Sequence, residues 1–258
     1  MKYLLALAAF SAAAHAQVAP PRQGPTDSQI MWLLQNMPVE NAKSMTPIIN
    51  GLLSDTAGHM RMAERRVASA SDSARATGVV REMRASLAQY KDVSVAERDG
   101  YVRFLPWLQE QSIYHYNSGP NANLAATKFD ATKPTSLLYR KDAAGRMVLA
   151  GAMFTAPAGA SLDELNARLP LGVAYWHSHV NFCGLRPPAA TPNRARVDSA
   201  TLARSLAIET QEECLKAGGM YLPQLFGWMA HVMVFDGDAP ATIWGSEGHD
   251  HMNMHAHP

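Results

Sequence analysis

Val173-Ala174-Tyr175-Trp176-His177-Ser178-His179-Val180 is the stretch on which the reading of this chain turns. Its β-branched and aromatic residues suit a strand over Leu171–Val180, where side chains two apart face the same side. Val173, Tyr175, His177 and His179 then share one face, and Ala174, Trp176, Ser178 and Val180 the other. Two imidazoles about 7 Å apart at the backbone can converge on one metal ion. Burying two such rings side by side in an apolar strand is costly unless something satisfies them. A later strand, Phe226 to Phe235, alternates so that Met229, His231 and Met233 share a face. Lying in the same sheet, His231 would complete a three-His site with an open coordination position.

The surrounding pattern sets the fold class. Strands are also expected at Ser136–Arg140 and Met147–Thr155, joined by the turn Asp142-Ala143-Ala144-Gly145 as a hairpin. Ahead of them, helical spacing dominates. Thr26-Asp27-Ser28 can cap a segment carrying Ile30, Leu33, Leu34 and Met37, stopped by Pro38, and helical segments follow around 39–54, 56–71 and 73–91. Met60, Ala63 and Val67 form one apolar stripe, and Val80, Met83 and Leu87 another. Residues 114–135, rich in Asn, Gly, Pro and Thr, read as a long irregular connection, and the proline-bearing 184–200 as loop. Ser161-Leu162-Asp163-Glu164 is a capping box opening a short helix over 162–168. Thr210-Gln211-Glu212-Glu213 opens another that Gly218-Gly219 ends. Helices first and then a mainly antiparallel sheet with short helical insertions make an α+β fold. The helical region spans 26–113 and the β-rich metal-site region 114–247.

The ends of the chain point to export. Residues 1–16 combine Lys2, an apolar run from Tyr3 to Ala14, and the small-residue cleavage site Ala14-His15-Ala16, as in a secretory signal peptide. Residues 17–25 form a Pro-rich, disordered lead-in. The apolar run is too short to span a bilayer, and no later segment supplies one. The expected location is secreted or periplasmic, where Cys183 and Cys214 read as a disulfide. Lys+Arg at 23 against Asp+Glu at 22 argues against a partner held by bulk charge such as nucleic acid. Residues 248–258, GHDHMNMHAHP, place His249, His251, His255 and His257 beside Met252 and Met254. Such a tail can gather copper, zinc or nickel, with thioethers favouring Cu(I).

His177-x-His179 on one strand followed by His231 on a later one resembles the cupin superfamily. The resemblance covers about 60 residues and implies a small β-barrel in which two His, a carboxylate and a final His hold a metal. Where that family offers its carboxylate, this chain has Cys183, either a thiolate ligand or half of the disulfide. Tyr175-Trp176-His177-Ser178-His179 also looks like the strand of JAMM-type metalloproteases. The Asp that completes such a zinc site is replaced by Ala190, the next acid being Asp198, so a zinc hydrolase ranks below the other readings.

Two neighbours have roles to fill. Asn181 shares the His179 face if the strand continues, where it can orient water or a ligand imidazole. His115, in the aromatic cluster Tyr114-His115-Tyr116-Asn117, can approach the metal or a substrate. The expectation is an exported protein whose His177, His179 and His231 hold a transition metal, copper before iron, manganese or zinc. Its enzymatic form is a metal-dependent oxidoreductase on a small substrate, with Asn181 and His115 positioning water or substrate. The alternative is a non-catalytic copper- or zinc-handling protein.

Overall fold

The computed structural model describes residues 30–31, 34–36, 43, 46–48, 58–185 and 198–245. The expected signal peptide, lead-in, capped segment at 26–28, Ala190 and the His/Met-rich tail lie outside them. In chain order the elements are β1 (Met60–Met62), α1 (Ala70–Leu87), a 3-10 turn (Ala88–Lys91), α2 (Val93–Arg98), β2 (Val102–Arg103) and β3 (Tyr114–Asn117). Then come α3 (Gly119–Ala125), β4 (Ser136–Lys141), β5 (Met147–Ala156), α4 (Leu162–Arg168) and β6 (His177–Gly184). The last are α5 (Ser199–Leu206), α6 (Gln211–Lys216), β7 (Met220–Val232) and α7 (Pro240–Trp244).

The seven strands form one antiparallel sheet in the order β1-β6-β7-β5-β4-β3-β2. The α+β class is observed. The sheet has two separate edges, β1 and β2, so the described residues form an open sheet and not a closed barrel. The portion read as helical and the β-rich portion are not separate in the sheet, since 26–113 contributes both edge strands.

Period-two alternation sorts the strands onto two faces. Tyr114 and Tyr116 of β3, Leu137 and Tyr139 of β4, Ala152, Phe154 and Ala156 of β5, and Trp228, Ala230 and Val232 of β7 enter the main core. There they meet α1 through Ala76, Met83 and Leu87, the last two fully buried. Removing either side chain to alanine would cost about 2–5 kcal/mol, the usual range for a filled core position. The helix starts at a reciprocal capping box between Ser69 and Asp72. It is fixed to the sheet by Arg84, whose Nε donates to the Val234 carbonyl (2.9 Å) and whose Nη2 donates to that of Gly237 (2.9 Å). On the opposite face Ile113, Leu138, Ala150, Met153, Met229 and Met233 form a smaller cluster.

Several elements agree with the sequence pattern. The hairpin β4–β5 closes on Asp142–Gly145, the capping box at Ser161 is reciprocal, and α6 starts at Thr210 and ends before Gly218. Other boundaries differ for physical reasons. The stripe Met60, Ala63, Val67 is not helical: Met60–Met62 pair with His179–His177 as an edge strand, and Val67 is 96% exposed. Sheet pairing there outweighs a short apolar spacing compatible with either structure. Residues 171–176 do not begin the His-bearing strand. The amides of Val173 and Ala174 both donate to the Pro170 carbonyl, making a turn, and Trp176 is buried in the main core. β7 begins at Met220, earlier than expected, and ends at Val232. The stretch 114–135 is not wholly irregular, because it contains β3 and α3.

Two irregularities bear on the site. β5 carries one extra residue against β4, since Leu138 faces Gly151 whereas Tyr139 faces Leu149. A Cβ on Gly151 would lie 2.1 Å from the Val232 carbonyl oxygen, so only glycine allows β5 and β7 to approach this closely. β7 carries two extra residues against β6, as His177 faces Met229 whereas His179 faces Leu225. Phe226 within that bulge has φ +63°.

Cys183 of β6 and Cys214 of α6 form a disulfide across 31 positions, which removes Cys183 as a thiolate ligand. Gly219 makes room for it: a Cβ there would stand 2.6 Å from the Cys183 Sγ. The Cys183→Ser/Cys214→Ser variant should lose about 3–4 kcal/mol by the loop-entropy argument, read as a lowered urea midpoint. Gly151→Ala should lose about 1–3 kcal/mol in the same assay, as overpacking does.

Candidate functional site

The smaller face of the sheet gathers four histidines from three strands. Tyr114 and Tyr116 point into the main core, so alternation turns His115 of β3 to the other side. In the same way Ala230 and Val232 turn His231 of β7 toward Met229 and Met233. Directly paired residues of antiparallel strands project to the same face, so the pairing of His177 with Met229 brings His177 to this group. His179 follows two positions later along β6.

The side chains meet. The Nε2 atoms of His115 and His231 are 3.4 Å apart. Ring centroids are separated by 5.4 Å for His115 and His231, 5.2 Å for His177 and His231, and 5.7 Å for His177 and His179. His177 is buried, and the other three are half-buried. The His179 Nδ1 is out of contact with solvent and has no hydrogen-bond partner in the protein. A buried polar atom of that kind calls for water or an ion.

Burial favours the neutral form of two of the rings, His115 and His179. Burial among protein atoms, reinforced by the charge of His179, lowers the His115 imidazole from 6.5 to about 4, against an opposing hydrogen bond with the Ile113 backbone. Burial also lowers His179 to about 4, with His59 adding to the shift. A neutral imidazole is the form that binds metals.

The 3.4 Å separation of the two Nε2 atoms is informative. It is long for a hydrogen bond, whose donor and acceptor usually lie about 2.7–3.2 Å apart. Two nitrogens bound at about 2.0–2.1 Å to one tetrahedral ion are separated by about 3.3–3.4 Å. The complete set is not closed: among the described residues, no three or more His, Cys, Asp or Glu side chains already surround a common metal position.

The structure brings His115 together with His177, His179 and His231, on a strand and not on the loop expected for it. Alternating aromatic and polar residues in Tyr114-His115-Tyr116-Asn117 were the available signal for that strand. Asn181 lies two residues beyond His179, but its side chain is engaged elsewhere. Its Oδ1 accepts from the Tyr221 hydroxyl (2.8 Å) and its Nδ2 donates to the Gly58 carbonyl (3.3 Å). With φ +63° it occupies the left-handed region that asparagine tolerates. Asp198, the acid nearest the missing hydrolase ligand, caps α5 by accepting from the Thr201 amide (2.6 Å).

One neighbouring histidine carried no sequence signal. His59, 1% exposed, stacks on Phe182 with centroids 5.0 Å apart. Its Nδ1 lies 3.1 Å from the Val180 carbonyl oxygen and its Nε2 2.7 Å from that of Leu206. Both ring nitrogens thus engage backbone, tying the segment before β1 to β6 and to the end of α5.

No protein family, curated protein or solved structure shows significant similarity to the chain.

The lowered imidazoles make a pH prediction for metal-free protein. Unfolded, His115 and His179 take up protons near 6.5; folded, they do so only near 4. Between those values the unfolded chain binds more protons, so stability falls as pH drops through this window. Denaturant midpoints in the presence of a chelator should therefore fall from pH 7 to pH 4, and His115→Gln should flatten the dependence.

Proposed function

We propose that this is an exported metal-binding protein whose His177, His179 and His231 hold a transition-metal ion, copper before iron, manganese or zinc. The observation that carries the reading is the convergence of imidazoles from β3, β6 and β7 on one sheet face. Within it, the His115 and His231 Nε2 atoms stand at the spacing of a tetrahedral edge. The His177 ring stands beside the same pair, its centroid 5.2 Å from that of His231. The likeness to cupins is kept in the donor set, two histidines on one strand and one on a later strand, without need of a closed barrel.

Export is supported by the leader-like residues 1–16 and the Cys183–Cys214 disulfide. Among the described residues, no helix is long and apolar enough to cross a membrane. The tail at 248–258 is read as a separate metal-gathering segment.

His115 divides two forms of this reading. With three ligands the ion keeps an exchangeable position, as in a metal-dependent oxidoreductase acting on a small substrate. With His115 as fourth ligand the site is closed and suits non-catalytic metal handling. The contact between the His115 and His231 nitrogens favours the closed form.

Metal analysis and titration of the mature chain, and of a version ending after Glu247, test the site. The shortened chain should retain about one equivalent of ion, as a single tetrahedral centre requires. His177→Ala/His179→Ala should weaken binding more than about a hundredfold, beyond the usual effect of outer-sphere changes. A shortened chain that binds no copper or zinc would refute the reading. Added azide should perturb the spectrum of Cu(II)-loaded His115→Ala and leave that of the Cu(II)-loaded unaltered protein unchanged.

A further inference from the structure

Methionines accompany the histidines across the strand pairings. Met62 and Met229 lie directly opposite His177 on its two sides, Met60 lies opposite His179, and Met153 lies opposite His231. Directly paired residues project to one face with Cβ atoms about 4.5–5.5 Å apart, so these thioethers stand beside the imidazoles. Met153 and Met229 are 8% and 6% exposed, and they belong to the cluster that excludes the main core.

Leucine or isoleucine would cover the rings equally well as packing. Methionine differs in offering a soft sulfur donor on a flexible stem. Soft thioethers favour monovalent copper, whereas imidazoles alone accept zinc and other divalent ions readily. The pairings put both donor types on one face, and the disulfide takes the thiolate alternative away.

We propose that the site is a mixed imidazole–thioether centre for Cu(I), with Met153 and Met229 supplying sulfur beside His231 and His177. This assignment rests on the histidine-site reading: it keeps the imidazoles as the ligand set for divalent ions and, for Cu(I), puts the two sulfurs in place of two of them. Zn(II) probes the imidazoles alone, and Cu(I) probes imidazoles and sulfurs together.

The test compares the full-length chain carrying Met252→Leu/Met254→Leu with the same chain also carrying Met153→Leu/Met229→Leu, so that the tail offers no thioether to either. Cu(I) is titrated anaerobically against a chromogenic chelator, and Zn(II) in a parallel experiment. The variant should lose at least about tenfold in Cu(I) affinity and hold Zn(II) within about twofold, as expected for removal of soft donors only. Unchanged affinity for both ions would overturn the thioether assignment and leave the histidine site standing. Failure of the chain that keeps Met153 and Met229 to bind either ion would overturn the histidine site itself.

Should the variant not fold, X-ray absorption at the copper edge decides the question on selenomethionine-labelled protein carrying Met252→Leu/Met254→Leu. A selenium neighbour in the first shell supports the assignment, and a shell of nitrogen alone overturns it.

Discussion

The antiparallel pairing of β6 with β7 is the constraint on which the rest depends. β6 carries His177, His179 and Cys183, and β7 carries Met229 and His231. β1 attaches to the outer side of β6, and β5 to the far side of β7. The pairing is irregular where it matters, because two additional residues of β7 lie opposite the short step from His177 to His179. Such a bulge increases local twist and re-aims side chains. The two imidazoles accordingly stand nearly perpendicular, at 83°, and not stacked in parallel. At its other end, β6 is held by the disulfide to α6, and His59 ties its middle to the end of α5.

The sheet divides its labour between its faces. One face buries aromatic and aliphatic side chains beneath α1 and supplies the apolar burial that stabilises the fold. The other combines imidazoles and thioethers. The groups that shift His115 and His179 are burial and other imidazoles, so neutrality is their stable state. Polar rings buried in this way demand compensation. An ion bound as proposed would provide it by accepting imidazole lone pairs, and would link the stability of this face to metal binding.

Legibility in the sequence followed how local each determinant was. The turn at Asp142–Gly145, the capping box at Ser161 and the helix start at Thr210 depend on a few adjacent residues, and each appears where its residues imply. The stripe Met60, Ala63, Val67 was ambiguous because its three positions fit a helix, and only the availability of the β6 edge makes Met60–Met62 a strand. His115 read as a loop residue because the Asn- and Pro-rich sequence that follows it obscured a four-residue strand. The role foreseen for Asn181 assumed regular extended geometry, whereas within the continuous strand its left-handed backbone sends the amide to Tyr221 and Gly58.

By itself the sequence determined the α+β class, the cysteine pair, and the presence on strands of His177, His179 and His231, because period-two alternation and local capping chemistry are short-range properties. Only the tertiary structure decided that the sheet stays open, that His115 joins the other three, and that methionines stand opposite the histidines. Those outcomes depend on strand order and register between segments far apart in the chain, from His177 and Met229 to His115 and His231. A bulge of one or two residues changes which side chains meet there, and no local pattern records it.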